Sequence, residues 1–352
     1  MNRSALIDTV KALASQLIVL HHLALYSPMA DWLASAWPRL MAFVLDDGRL
    51  AVQPFLVIGG YLSAQSLGRS RGQGVWVLAA RRYLRLLPPL ALALLLVMLA
   101  TVLVGHELHA ADWLSPLPSP GQFLAHLLLL QDVLDIPSIS AGAWYVAIDL
   151  QLYALMAVLV CWGARAPGPL AGSWAPVLVA LLAAATLLAF GHQAELDVWA
   201  VYFFLSYGLG ALAAWAPQHR RARLSWWLLV ALVLVDAAMA PRDRPLLSLA
   251  MALALWAFAR WHWPSAAGRV GRVLRWLSDK SYGVFVSHYA VIVLASGCWL
   301  AWDGEGLAMA CLVVGLAWAA SLVLGAWVPW LCDQGGAVLK HGLARFFGAA
   351  RS

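Results

Sequence analysis

The sequence predicts an all-α polytopic membrane bundle of about ten transmembrane helices with both termini inside. Three observations predict it. Of 352 residues, 63% are hydrophobic and 11% charged, less than half of the roughly 25% charged share of a soluble domain. Apolar windows long enough to cross a hydrocarbon core of about 30 Å recur along the whole chain. The loops between them sort alternately into basic and acidic sets, which is the positive-inside pattern. Nearly the whole length is consumed by spans, so no soluble catalytic domain is expected at either end. The net charge of +6 is then mostly a topology signal, and no nucleic-acid partner is expected.

The windows fall at roughly 6–27, 50–67, 86–105, 142–163, 174–191, 198–216, 225–240, 245–261, 281–301 and 307–331. The first is interrupted by charges and histidines and so reads as an uncleaved span rather than a signal peptide. The run 122–134 is apolar but too short, and is expected to be an interfacial or re-entrant helix before the fourth span. Pro88, Pro89, Pro116, Pro118, Pro120, Pro137, Pro167 and Pro217 are placed at or between span ends, where a helix can stop. Residues 1–335 form one membrane domain and 336–352 a short basic cytoplasmic tail. No internal repeat suggests an inverted duplication.

Orientation follows from Lys and Arg. With the N-terminus inside, the inner loops hold Arg69, Arg71, Arg81, Arg82, Arg85, Arg165, Arg220, Arg221, Arg223, Arg269, Arg272, Arg275 and Lys280, and the tail adds Lys340, Arg345 and Arg351. The opposite loops hold only Arg39, Arg49, Arg242 and Arg244, beside eleven acidic residues that include Glu107, Asp112, Asp132 and Asp197. Cys161, Cys298, Cys311 and Cys332 are scattered, with no CxxC pair, and read as small apolar packing residues; a Cys298–Cys311 bridge is the alternative. No metal site is expected.

Ionisable residues inside spans are costly and mark a polar path or a pairing. Asp8, Lys11, Ser15 and His22 lie on one face of the first span, and Lys11 and His22 are about 16 Å apart along it. In the fourth span, Trp144 is followed by Asp149 and Tyr153. Counting from span ends puts His22 and Asp149 level, roughly 6–9 Å below the outer boundary. Asp149 either orients a base histidine or locks helices through a water or a backbone group. Arg82 and Arg85, one turn apart, either grip phosphates or serve topology and lipid headgroups. His288, placed about seven residues in from the cytoplasmic end of the ninth span, is too far inward for Asp149 and reads first as an interhelical hydrogen-bonder. Asp236, His126 and His192 are expected to be solvated, and Trp226, Trp227, Trp261 and Trp263 to form an aromatic belt.

Five segments in order resemble the acyltransferase-3 family of integral-membrane acyltransferases. They are Asp8-x-x-Lys11 with His22 eleven residues on, Gly59-Gly60-Tyr61, Arg82-x-x-Arg85 before Leu87-Pro88, Trp144 with Asp149 and Tyr153, and Ser281-Tyr282 with His288. The resemblance covers about residues 1–331. Where the family has arginine, serine and glutamate, this chain has Lys11, Gly59 and Asp149. Lysine loses bidentate geometry, glycine loses a hydroxyl, and aspartate is one methylene shorter.

The resemblance implies transfer of an acyl group, commonly acetyl, from cytoplasmic acyl-coenzyme A to a hydroxyl of a surface glycan or glycolipid, in the inner (cytoplasmic) membrane. No permanently bound cofactor is implied. The basic cluster Arg69–Arg85 and Lys11 would hold the donor, with Arg82, Arg85 and His288 as cofactor-binding residues. His22 would act as general base, oriented by Asp149; an acyl-histidine relay is the alternative chemistry. Asp8, Ser15, Trp144 and Tyr153 are substrate-site candidates. The partners are then acyl-coenzyme A, the acceptor and the bilayer, with a separate acyl-accepting protein or a second copy as a further partner class. The competing class is a secondary transporter or flippase that uses the same buried residues as a proton or substrate path.

Overall fold

The structure is a computed structural model that describes residues 5–70, 72–104, 114, 116–165, 174–258 and 268–349, with backbone alone for 165 and 334–349. Arg71, Glu107, Asp112, Trp261, Trp263 and Arg351, and the side chains of Arg165, Lys340 and Arg345, lie outside what is described. The described residues are helical, with no strand.

Each of the ten apolar windows holds a helix: α1 (Ala5–Leu25), α4 (Val52–Arg69), α5 (Val75–Val104), α7 (Ala143–Arg165), α8 (Ala175–Leu188), α9 (Ala200–Trp215), α10 (Arg220–Met239), α11 (Asp243–Phe258), α12 (Gly268–Ala301) and α13 (Leu307–Ala349). Short helices α2 (Met29–Ala36), α3 (Pro38–Ala42) and α6 (Pro120–Leu127) fill connections. Among the described residues, six helices are long and apolar enough to cross a membrane unaided: α5, α7, α8 with the turn after it, α10, α12 and α13. The other four windows fall short for physical reasons. Both α9 and α11 have 16 residues, a length of about 24 Å. Asp8, Lys11, His21 and His22 sit within α1, while α4 carries Gln53, Gln65 and Arg69.

The outside of the bundle is oily. Leu95, Leu99, Val102 and Leu103 of α5, Leu228, Leu234 and Val235 of α10, and Leu312, Leu316 and Val323 of α13 are exposed. So broad an apolar surface suits hydrocarbon and not water. Polar side chains turn inward: Asp8, His22, Gln53, Asp149 and His288 are all buried.

Two contacts organise the interior. Where α4 crosses α9, a Cβ on Gly60 would collide with the Tyr207 carbonyl and a Cβ on Gly210 with the Val57 carbonyl. Two glycines thus let the backbones meet, as small residues do in membrane bundles. The other centre is α12, which packs on α1, α5 and α13. It begins at Gly268, well before the expected 281, and its 34 residues span about 51 Å.

Several expectations are corrected. Pro88 and Pro89 lie inside the continuous α5 rather than at a span end, and the Tyr282 hydroxyl donates to the nearby Leu86 carbonyl at 2.8 Å. The 122–134 run is helical only to Leu127; α6 opens with Ser119 accepting from the Gln122 amide at 3.1 Å and Pro120 at its first position. Trp226 is fully buried against Trp256 and so is no interfacial belt residue. The four cysteines, by contrast, are free thiols as expected, with no Cys298–Cys311 bridge. Asp236 is not simply solvated: it accepts from Arg242 at 2.8 Å.

His126 is also buried, not solvated. Its Nδ1 donates to the Gln122 carbonyl at 2.8 Å, so its Nε2 accepts the Ile139 amide at 3.0 Å and pins the 128–142 loop to α6. Burial lowers its pKa from 6.5, opposed in part by the Gln122 bond. A depressed histidine pKa means that the unfolded loop binds a proton first as pH falls. The stabilisation is therefore full above about pH 6.5 and is lost below it. Hydrogen exchange across 128–142, corrected for intrinsic rates, should accelerate between about pH 7 and pH 5.5. In His126→Gln the loop should exchange faster at neutral pH and lose that dependence.

Candidate active site

His22 lies one turn from the C-terminal end of α1, and its Nδ1 is 2.7 Å from Nε2 of His288 on α12. The two rings are nearly coplanar, 4° apart with centroids at 4.9 Å, the in-plane geometry of a head-to-tail hydrogen bond. The tautomers follow from the next contact. His288 Nδ1 is 3.0 Å from the Val284 carbonyl, and a carbonyl only accepts, so His288 carries its proton on Nδ1. Its Nε2 is then an acceptor, and His22 must donate from Nδ1. His22 is left with a lone pair on Nε2 and lines an open cavity. That is the state a general base requires.

This overturns the expected partner. Asp149 does not meet His22. It takes a forked ion pair from Arg82, with Nε to Oδ2 at 2.9 Å and Nη2 to the two carboxylate oxygens at 2.8 and 2.7 Å. The Arg82 guanidinium also lies 5.4 Å from the Tyr153 ring centre. Asp149 thus meets a residue that loop charge had placed on the inner side, and around α7 neighbouring residues point about 100° apart. Trp144 and Ile148 of α7 face one cavity, and Tyr145 and Asp149 face another. His288 is likewise corrected: it is fully buried against His22 and lines no donor cavity.

The two cavities are of similar size. One, about 350 Å³, contains His21, His22, Tyr26, Gln53, Trp144, Tyr202 and Phe203, with Asp132, Asp197, Arg49 and Arg244 around it. Burial raises the pKa of Asp132, and nearby Asp197 adds to the rise while a Gln131 hydrogen bond opposes it. The other, about 410 Å³, holds Lys11, Arg69, Arg82 and Arg85 with Asp149, Ser63, Ser66, Tyr145, Ser281 and Tyr282. Four cations face one carboxylate there, a lining suited to a polyanion. Two donors of Arg82 are already committed to Asp149, so Arg85 and Arg69 are the more available guanidiniums.

The remaining candidates separate. Asp8 accepts from Ser278 at 2.9 Å and joins α1 to α12. The Ser15 hydroxyl turns back to the Ala12 carbonyl at 2.9 Å and lines neither cavity. His21 donates from Nδ1 to the Val44 carbonyl at 3.0 Å, fixing the turn after α3. At Gly59 a Cβ would lie 3.1 Å from the Tyr207 ring, which occupies the space beside it. The Tyr207 hydroxyl is 2.6 Å from Ser63. Sequence reasoning passed over Tyr207, Tyr145, Gln53 and Phe285. Gln53 was readable as a polar residue in an apolar window, and Phe285 by its position one turn before His288. Among the described residues no His, Cys, Asp and Glu group could hold a metal ion.

Comparison with known proteins fits this arrangement. A family model described as an acyltransferase domain, that of the acyltransferase-3 family, matches residues 5–332. "Putative peptidoglycan O-acetyltransferase YrhL" of Bacillus subtilis (strain 168) is 26% identical over 289 residues, covering 71% of this chain and 45% of that protein. The chain thus spans about half the length of that relative. No solved structure matches. With the family match running over nearly all of the helical bundle, the chain belongs to the acyltransferase-3 family.

Proposed function

We propose that this protein moves an acyl group, acetyl by preference, from cytoplasmic acyl-coenzyme A to a hydroxyl of a cell-surface glycan, with His22 as general base. The observation that carries the reading is the pair of cavities, one cationic around Lys11, Arg69 and Arg85 and one holding the accepting nitrogen of His22. The donor's phosphates suit the first and a neutral hydroxyl suits the second. In this reading the bundle is N-in/C-in with ten traversing helices, so that the basic cavity opens to the cytoplasm of the inner membrane.

The acceptor O–H gives its proton to His22 Nε2 as the oxygen attacks the thioester carbonyl. The C–O bond forms, the C–S bond breaks, and the coenzyme leaves as thiolate to collect the proton. His288 holds the imidazole in the reactive tautomer and stabilises the imidazolium, as a carboxylate does in hydrolase triads. The Bacillus relative's name makes a peptidoglycan-type sugar the first acceptor to try.

The test is reconstitution. Purified protein in liposomes, given acetyl-coenzyme A and a peptidoglycan-derived disaccharide, should release free thiol and form an acetyl ester together, one for one. Neutralising Arg69 and Arg85 should raise KM for the donor and leave kcat nearly unchanged. Transport of either compound with no thiol release would overturn the reading in favour of a transporter.

A further inference from the structure

Among the described residues, Phe285 is the one side chain that lines both cavities. It is 6% exposed and belongs to a run of rings. Tyr145, on the basic side, is 5.0 Å away edge-on, and His288, behind the base, is 6.3 Å away. Phe55 meets Tyr145 at 6.4 Å from the basic side, and Trp144 meets it at 6.0 Å from the His22 side. Chain neighbours divide at this layer: Gln53 faces His22 whereas Phe55 faces the arginines.

The backbone under this ring has little freedom. A Cβ on Gly142 would lie 2.7 Å from the Phe285 carbonyl, and one on Gly283 would collide with the Gly325 carbonyl. The helix is gripped on two sides, so a passage opens by turning rings rather than by sliding α12. A thioester arriving from the basic cavity must bring its carbonyl carbon to about 3 Å from an oxygen held by His22. The way between the two chambers runs past the Phe285 ring.

We propose that Phe285 is a specificity-determining residue, an aromatic septum that passes a short acyl group, excludes longer ones and keeps water activated by His22 off the thioester. The inference rests on the donor reading above. A close-fitting apolar wall discriminates by about 10- to 200-fold per methylene, and closing off water suppresses hydrolysis of reactive groups. Without the ring, water takes the acceptor's place. Its oxygen attacks the carbonyl, the C–S bond breaks, and the proton passes through His22 to the thiolate, giving free carboxylate and thiol.

The experiment uses the full chain in liposomes with acetyl-, butyryl- and hexanoyl-coenzyme A, with and without the disaccharide. In Phe285→Ala the ratio of hexanoyl to acetyl turnover should rise by about tenfold or more, and acceptor-independent thiol release should rise with it. Phe285→Trp should favour acetyl still more strongly over butyryl. Phe285→Leu, which keeps apolar bulk, should fall between them and serves if the alanine variant does not fold. Folded variants with the wild-type chain-length profile and wild-type hydrolysis would overturn the septum alone. A wild-type protein that consumes no acyl-coenzyme A would overturn the donor reading and the septum with it.

Discussion

His22→Ala is expected to lower kcat for acyl transfer by roughly 10²- to 10⁴-fold, the usual contribution of a positioned general base, while the protein still inserts and folds. The geometry makes a sharper claim about its neighbour. His288→Ala removes the acceptor for His22 Nδ1–H and frees the imidazole to take the other tautomer, with the proton on the nitrogen that should accept. A misplaced tautomer in a hydrolase triad costs about 10⁴-fold, so a loss on the order of 10²-fold or more is expected here. His288→Gln can present a carbonyl oxygen to the same N–H and should recover part of the rate. His21→Ala, which loses only a bond to the Val44 carbonyl, should affect transfer far less. Steady-state kcat with acetyl-coenzyme A and a fixed acceptor checks all four. Wild-type kcat in His288→Ala would refute the tautomer argument even if His22 proved essential.

The second large effect concerns Arg82 and Asp149. The Arg82 and Asp149 side chains are 26% and 10% exposed, so removing one partner strands the other charge at a cost below the roughly 3–5 kcal/mol of a fully buried pair. Asp149→Asn and Arg82→Gln should each lower the thermal unfolding midpoint in detergent. The double variant should recover much of the stability, because it buries neither charge alone. Activity should not follow stability. The pair walls the basic cavity, so the double variant should keep a raised KM for acyl-coenzyme A despite its restored fold. Had Asp149 oriented His22, Asp149→Asn would instead lower kcat with unchanged stability; that outcome would restore the partner expected from depth.

The contrast shows what one sequence carries. Apolar windows predicted where the helices lie, and His22 lines a cavity. Those signals are one-dimensional, and rise per residue converts them to depth. Contacts also need the angle around each helix axis, which depends on neighbours elsewhere in the chain. Asp149 shows the difference: counting from span ends set it level with His22, yet the packing of α7 on α5 turns it to Arg82, which loop charge had placed on the inner side. His288 was misplaced for a simpler reason. The charged segment before residue 281, with Arg269, Arg272, Arg275 and Lys280, reads as loop by hydropathy, yet α12 already runs through it. Pro88 and Pro89 misled in the same way, since α5 runs on through both and a packed bundle tolerates the interrupted ladder.

The His22–His288 contact joins residues 266 positions apart in the chain. Ribosomes add about 5–20 residues each second, so the first helix waits on the order of 15–50 s for its partner to be made. Over that interval Lys11, Arg69, Arg82 and Arg85, all made within the first quarter of the chain, still lack the Ser281 and Tyr282 wall of their cavity, and His22 lacks its orienting partner. A half-made chain in the membrane therefore has neither a closed basic cavity nor an oriented base. Both are completed by one late helix, α12, so the two halves of the site mature together.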